Sequence, residues 1–405
     1  AGLVLLHQPP SSSTIILVRE PQRPTARPDA PAQPSARVGQ PGQRLRWPSS
    51  QVGTSRATNS VHVCFCTDDQ DLRPLVVAIN STMANARDPG RLVFHLITKA
   101  ETAGAFVSAI KGALPTAQIR AHHNDTIEDH IREVVTFRKS SGARKSLASP
   151  FNFAPFYLDA FLASQVSDEE RQQGLPSRLI YLDTDVVLTG DIAKLHEFDM
   201  HGHAVAAVQD CLQTFDTYID FKELEKVEPT LGIDPKTCVF NRGVFVVDVR
   251  RWRDLKLTKD IEHWMDRYRH SKKDLYKFGM SQPPWLLALR GRYQTLGAEW
   301  NCRGLGRELL DPRELAELKV QGFDKASVKR LGIRPVGPRA RPYLATCGAS
   351  SELLHFNGAM KPWRRDKWGK RLASLCTVPR RSKVAYRGEM TEVGSARVAE
   401  CWRIW

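Results

Sequence analysis

No stretch of this chain approaches the roughly 18–20 consecutive apolar residues that a membrane-spanning helix needs. The short runs Gly2–Leu6 and Thr14–Val18 are separated by Pro9 and Pro10 and lack the form of a signal peptide. Cysteine is sparse, eight in 405 residues, with no CxxC pair and no Cys/His spacing of the zinc-binding kind. Cys64 and Cys66 lie two apart in an apolar run, so on a strand they share a face as buried thiols; for the other six, an even count permits disulfides without arguing for them. No internal repeat is visible. An excess of one charge is also missing from the middle of the chain. The formal net charge of +15 comes mainly from residues 1–60, with seven Arg and two acids, and residues 361–405, with twelve Lys+Arg and four acids. The body between them is close to neutral. That distribution argues against a nucleic-acid-binding body, which would interleave cations and aromatics along one surface.

What is present divides into three parts. Residues 1–58 are rich in Pro, Ser, Gln and Arg without an apolar period, and read as a disordered stem or linker. Residues 61–375 read as one globular domain, and 376–405 as a basic tail. Two N-x-[ST] sequons occur, Asn80 in an expected helix and Asn124 in an expected polar loop. The domain opens on the apolar strand Val61–Cys66, followed by a helix over Leu72–Ala86, a strand over Leu92–Ile97, a helix near Ala103–Leu114 and a strand near Gln118–Ala121. This alternation predicts βαβ units in a mostly parallel sheet with helices on both faces. In such sheets ligands bind beyond the carboxyl ends of the strands, where Asp68 and Asp69 fall. A helix is expected over Ala154–Leu162, strands over His203–Val208 and Val244–Val249, and a helix over Thr258–Arg269. Residues Glu308 to Cys347 give no assignable pattern.

Two strings carry chemistry. The first is Asp183-Thr184-Asp185, closing the apolar run Leu179–Leu182. Two carboxylates one residue apart lie on the same side of an extended chain and can converge on one cation; hard oxygens suit Mg²⁺ or Mn²⁺, which can neutralise a departing diphosphate. A bland alternative is a pair of acids opening a turn. A chemical alternative is the D-x-D-x-[TV]-[LV] pattern of haloacid-dehalogenase-like phosphatases, but here about four elements precede the motif and no second acidic pair follows. The second string is His355-Phe356-Asn357-Gly358-Ala359-Met360-Lys361-Pro362-Trp363. It offers an imidazole as a third metal ligand, a glycine that lets backbone approach a phosphate, and a lysine as a point charge.

Taken in order, these strings resemble glycosyltransferase family 8. Phe65–Asp69 resembles the family's opening strand and nucleotide-binding acids, and Phe151–Leu158 its F-N-[YF]-A-R-F-Y-L segment. Leu179–Asp185 with Gly190-Asp191-Ile192 resembles Y-L-D-x-D followed by G-D-[IL]. Phe240–Phe245 with Trp252 resembles F-N-[AS]-G-V…W, and Trp300-Asn301 resembles the W-N that precedes H-x-x-G-x-x-K-P-W. The run Leu353–Trp363 looks closest to the eukaryotic glycosyltransferase 8 domain-containing proteins.

The resemblance implies an α/β GT-A fold and a retaining glycosyltransferase that uses a UDP-sugar and Mn²⁺, with Mg²⁺ as a second possibility. It implies a glycan, protein or lipid acceptor, with no nucleic-acid partner. Asp183, Asp185 and His355 would hold the metal. Cys66, Thr67 and Asp68 would contact uridine, together with Thr184 beside the metal, and Lys361 with Gly358 would hold the diphosphate. Asn241, Asp210 and Gln282 would stand at the reacting sugar. Two departures are visible: Pro155 replaces the family Arg that helps hold the donor, and Ser281-Gln282-Pro283-Pro284 replaces the Asp-Gln pair of many bacterial members. Pro155 leaves room for a weakened, binding-only relative; Arg138, Lys139, Arg144 and Lys145 are the nearby cations in sequence that could compensate. Eukaryotic relatives work in the Golgi lumen behind an N-terminal anchor. Residues 1–58 resemble the stem of such proteins, so a membrane anchor is expected upstream of Ala1 in the full-length product.

Overall fold

A computed structural model of the chain describes residues 60–138, 145–164, 175–303, 351–358, 361 and 363, with the short strands 334–336 and 339–341. The expected stem over 1–58, the basic tail over 376–405 and the cations Lys139 and Arg144 lie outside the described residues. So does most of 308–347, apart from a two-stranded ribbon, β9 (Arg334–Val336) and β10 (Arg339–Arg341), which follows in chain order the eight strands given next.

The first three strands are β1 (Val61–Cys66), β2 (Leu92–Ile97) and β3 (Ile119–His122). They alternate with helices α1 (Arg73–Asn85) and α2 (Ala100–Ala113). β1 and β2 are nearly continuous apolar runs because both faces of a parallel sheet are covered. Next come β4 (Arg178–Leu182), β5 (Val186–Leu188), β6 (Val205–Thr214), β7 (Cys238–Asp248) and β8 (Gln294–Leu296). Seven of these form one sheet in the order β3-β2-β1-β4-β7-β6-β8, and β7 alone runs against its neighbours. The mostly parallel α/β sheet expected from the alternation is therefore present. One core cluster packs each face: Phe153, Phe156, Tyr181, Phe245 and Trp285 on one, Val63, Phe65, Ile79, Leu182 and Val246 on the other.

Several features differ from the sequence reading or add to it. A helix, α3, spans Asp125–Val134 where a polar loop was expected, and Asn124 is its N-cap, with its side chain accepting from Ile127 N–H. β6 continues past Val208 to Thr214, and β7 begins at Cys238 rather than Val244. The two strands are joined there by a Cys211–Cys238 disulfide, and Cys302 is disulfide-bonded as well, whereas Cys64 and Cys66 are free and buried as expected. Between β6 and β7 the register slips: Ala207 faces Phe245, but Gln209 already faces Phe240. One residue of β6, Val208, therefore faces four of β7, Asn241–Val244, which bulge beside the end of β4.

Candidate metal and nucleotide-sugar site

Asp183 follows the last residue of β4, and its N–H donates to Gly243 carbonyl at 2.8 Å, so the bulge of β7 forms one wall around it. Asp185 follows two residues later, immediately before β5. The final strand, β11 (Leu353–His355), pairs antiparallel with β5 and sets His355 opposite Val186. Two further backbone bonds fix that register: Phe356 N–H to Asp185 carbonyl at 2.8 Å and His355 N–H to Cys302 carbonyl at 2.9 Å. Strings about 170 residues apart in sequence thereby meet. Asp183, Asp185 and His355 each offer one atom, all within 4.8 Å of one another.

Each of the three has one atom tied down and one facing inward. Asp183 Oδ1 accepts from the Tyr181 hydroxyl at 2.7 Å, leaving Oδ2 3.6 Å from His355 Nε2. Asp185 Oδ2 is held by Lys361 Nζ at 2.5 Å, leaving Oδ1 3.2 Å from the same nitrogen. The tautomer of His355 follows from its neighbours. Gly243 N–H can only donate, so the atom it meets at 2.8 Å on Asn241 is the oxygen. Asn301 must then present its NH₂ to that oxygen, at 3.0 Å, and its own oxygen to His355 Nδ1, at 2.9 Å. Nδ1 thus carries a proton, and in the neutral ring Nε2 is left with a lone pair facing the two carboxylate oxygens. His355 is buried and the two carboxylates are half-buried, and together they form a set that could hold a cation. Two hard oxygens and an imidazole fit Mn²⁺ or Mg²⁺. Burial disfavours charge on Asp185, but the Lys361 ammonium beside it outweighs that and holds its carboxyl well below the usual carboxylate range.

Gly243 is required at this wall. A Cβ there would stand 2.4 Å from His355 Cε1 and 2.7 Å from Asp183 Oδ2.

The family model described as glycosyl transferase family 8 matches residues 62–367. The chain belongs to glycosyltransferase family 8. It is a glycosyltransferase, and the sheet described above is its GT-A fold. Among similar proteins from Arabidopsis thaliana, probable galacturonosyltransferase-like 10 is 29% identical over 314 residues, covering 77% of this chain and 73% of the relative. Probable galacturonosyltransferase-like 6 is 31% identical over 307 residues, covering 75% of each. A solved structure of the galactosyltransferase LgtC with donor and acceptor sugar analogs aligns at 18% identity and a TM-score of 0.49, covering 79% of this chain and 98% of that one.

The other expected site residues of this family 8 chain are distributed as follows. Cys66 ends β1, and Thr67 and Asp68 follow it; Asp68 accepts from Ser149 Oγ at 2.9 Å, and Thr67 Oγ1 accepts from Asp69 N–H at 3.0 Å. Thr184 is half-buried between the two acids, and Gly358 is buried beyond β11. Lys361 spends two of its three donors on Asp185 and on Phe356 carbonyl, at 2.7 Å. Gln282 braces the bulge: its Nε2 donates to Phe240 carbonyl at 2.6 Å and its Oε1 accepts from Arg242 N–H at 3.4 Å. Asp210 is buried on β6, paired with Arg303.

Pro155 lines a narrow apolar cavity with Leu179, Val247, Val249 and Trp252, toward the start of β4 and away from Asp183. Arg138, considered above as a replacement charge, is committed elsewhere: it pairs with Asp274, bonds the carbonyls of Tyr268, Arg269 and Ser271, and lies over the Tyr268 ring. The cation that does stand at this wall is Arg242, which sequence reasoning passed over. Its signal was present, since it occupies the small-residue position of the F-N-[AS]-G string.

Proposed function

We propose that this chain transfers a sugar from a UDP-sugar to a hydroxyl acceptor on a glycan, protein or lipid, with retention at the anomeric carbon and with Mn²⁺ as the physiological ion. The observation that carries the reading is the convergence of Asp183 Oδ2, Asp185 Oδ1 and His355 Nε2 within 4.8 Å of one another at the carboxyl end of β4. A bound divalent ion supplies charge neutralisation for the UDP leaving group. The remaining work falls to the protein. Cys66, Thr67 and Asp68 form the end of β1 against which uridine would lie, near Thr184. The third donor of Lys361 and the backbone at Gly358 would hold the diphosphate. Asn241, fixed by Gly243 and Asn301, would present its amide nitrogen to the sugar, and Gln282 would hold that bulge in place from behind. Asp210, neutralised by Arg303, would border the sugar from β6.

The relatives are named for galacturonosyl transfer, so UDP-galacturonic acid belongs among the donors to be tried, beside UDP-glucose, UDP-galactose and UDP-xylose. No helix among the described residues is long and apolar enough to cross a membrane. The disulfides favour an oxidising lumen, in keeping with a Golgi enzyme. The test is binding and turnover of these donors with and without Mn²⁺. Native protein should bind UDP only with metal and release UDP from at least one donor, while Asp183→Ala and Asp185→Ala should lose metal-dependent binding and still unfold cooperatively. Metal-independent binding, or normal binding by both variants, would refute the assignment.

A further inference from the structure

Arg242 stands in the bulge between Asn241 and Gly243, two residues whose backbone or side chains form the wall of the metal site. Its backbone N–H is used by Gln282, and its Nη2 donates to Asn152 Oδ1. Nη1 is buried and has no hydrogen-bond partner, and among the described residues no carboxylate pairs with the guanidinium. Its neighbour Gly243 accepts from Asp183 N–H at 2.8 Å, which sets Arg242 at the carboxyl end of β4. The neighbouring charges are otherwise assigned: Asp183 is held by Tyr181, Asp185 by Lys361, and Asp210 by Arg303.

A guanidinium with a desolvated, unpaired N–H is costly unless an oxyanion completes it. Arg presents parallel donors suited to a carboxylate or a phosphate. We propose that Arg242 is a donor-recognition residue whose free nitrogen binds an oxyanion of the nucleotide-sugar. This rests on the UDP-sugar reading above, because only a donor held at the metal brings an oxyanion to this wall. Two oxyanions are within the same chemistry: a carboxylate on the sugar, as in a uronic acid, and a non-bridging oxygen of the diphosphate.

The experiment is calorimetric titration, in the presence of Mn²⁺, of UDP, UDP-glucose and UDP-glucuronic acid into the native protein, Arg242→Lys, Arg242→Met and Asn152→Ala. UDP-glucose and UDP-glucuronic acid differ only by the C6 carboxylate. Loss of a charge-assisted contact should weaken binding by roughly ten- to a hundredfold in Arg242→Met. If only UDP-glucuronic acid is weakened, the partner is the sugar carboxylate. If all three ligands are weakened alike, it is the diphosphate. Arg242→Lys, which keeps the cation, should recover part of either loss and covers the case in which the Met variant does not fold. Asn152→Ala separates recognition from bracing, since it removes the Nη2 contact and keeps the charge; its binding should stay near native. Unchanged affinities in Arg242→Met, or an equal loss in Asn152→Ala, would overturn the proposal. A native protein that binds none of the three with metal present would overturn the donor reading and this inference with it.

Discussion

Replacing Asn301 should weaken metal binding, although Asn301 is not expected to touch the metal. Its amide is 5% exposed and passes orientation from Asn241 to His355 through bonds of 3.0 and 2.9 Å. In Asn301→Ala the proton on Nδ1 loses its acceptor, so the ring is free to carry it on Nε2, the tautomer that cannot bind a cation. The ring also loses its rotational stop. Loss of a buried partner of a metal-binding imidazole costs about 10- to 100-fold in metal affinity, or about 1.4–2.8 kcal/mol. Two hydrogen bonds disappear as well, at about 0.5–1.5 kcal/mol each in stability. Asn301→Asp is the discriminating partner. It keeps an acceptor for Nδ1 and gives up only the donor to Asn241, so it should bind metal more tightly than the Ala variant. Calorimetric titration of Mn²⁺, with a thermal melt of each apo protein, reads both quantities. A folded Asn301→Ala protein with native Mn²⁺ affinity would refute the tautomer argument. Equal losses in Ala and Asp would show that the contact with Asn241, not the acceptor for His355, is what matters.

Gly243→Ala should abolish Mn²⁺-dependent UDP binding, because its methyl would collide with two ligands that cannot both retreat; retained binding would mean that the wall yields. The stacked chain His62–His95–His122 is linked by ring nitrogens 2.9 Å apart across β1, β2 and β3. Burial, with Arg120 and His196 nearby, lowers the His62 pKa from 6.5 to about 4, and burial also holds His95 well below 6.5. The unfolded chain therefore takes up protons first, and stability should fall as pH drops from about 6.5 toward 4, by up to roughly 3 kcal/mol for His62. Denaturant titrations at pH 7.5 and 4.5 should show a smaller difference in His62→Asn than in native protein. The Cys211–Cys238 bridge closes a loop with a separation of 27 residues. Its removal in the double Ser variant should cost roughly 3–4 kcal/mol in denaturant titrations, and an unchanged midpoint would place the constraint elsewhere.

Local composition determined a good deal of this protein. The bounds of β1 and β2 follow from apolar runs with punctuation at both ends, and they were read correctly because burial on both faces leaves no ambiguity of period. The metal-ligand candidates Asp183, Asp185 and His355 were legible because each sits in a dense string of functional side chains at a strand end. Helix α3 was not, since only Ile127, Ile131 and Val134 mark its inner face and the rest of its surface is charged. Whatever depends on which strands lie side by side was beyond the sequence. The histidine chain joins residues 33 and 27 apart, and the disulfide could have been drawn between several pairs. The roles of Asn301 and Arg242 arise from a register slip that bulges β7 at Asn241–Val244 against the end of β4. Residue type records what a side chain can donate, accept or charge. Its partner is fixed by pairing register and backbone bulges, which are settled by the packing of the whole sheet.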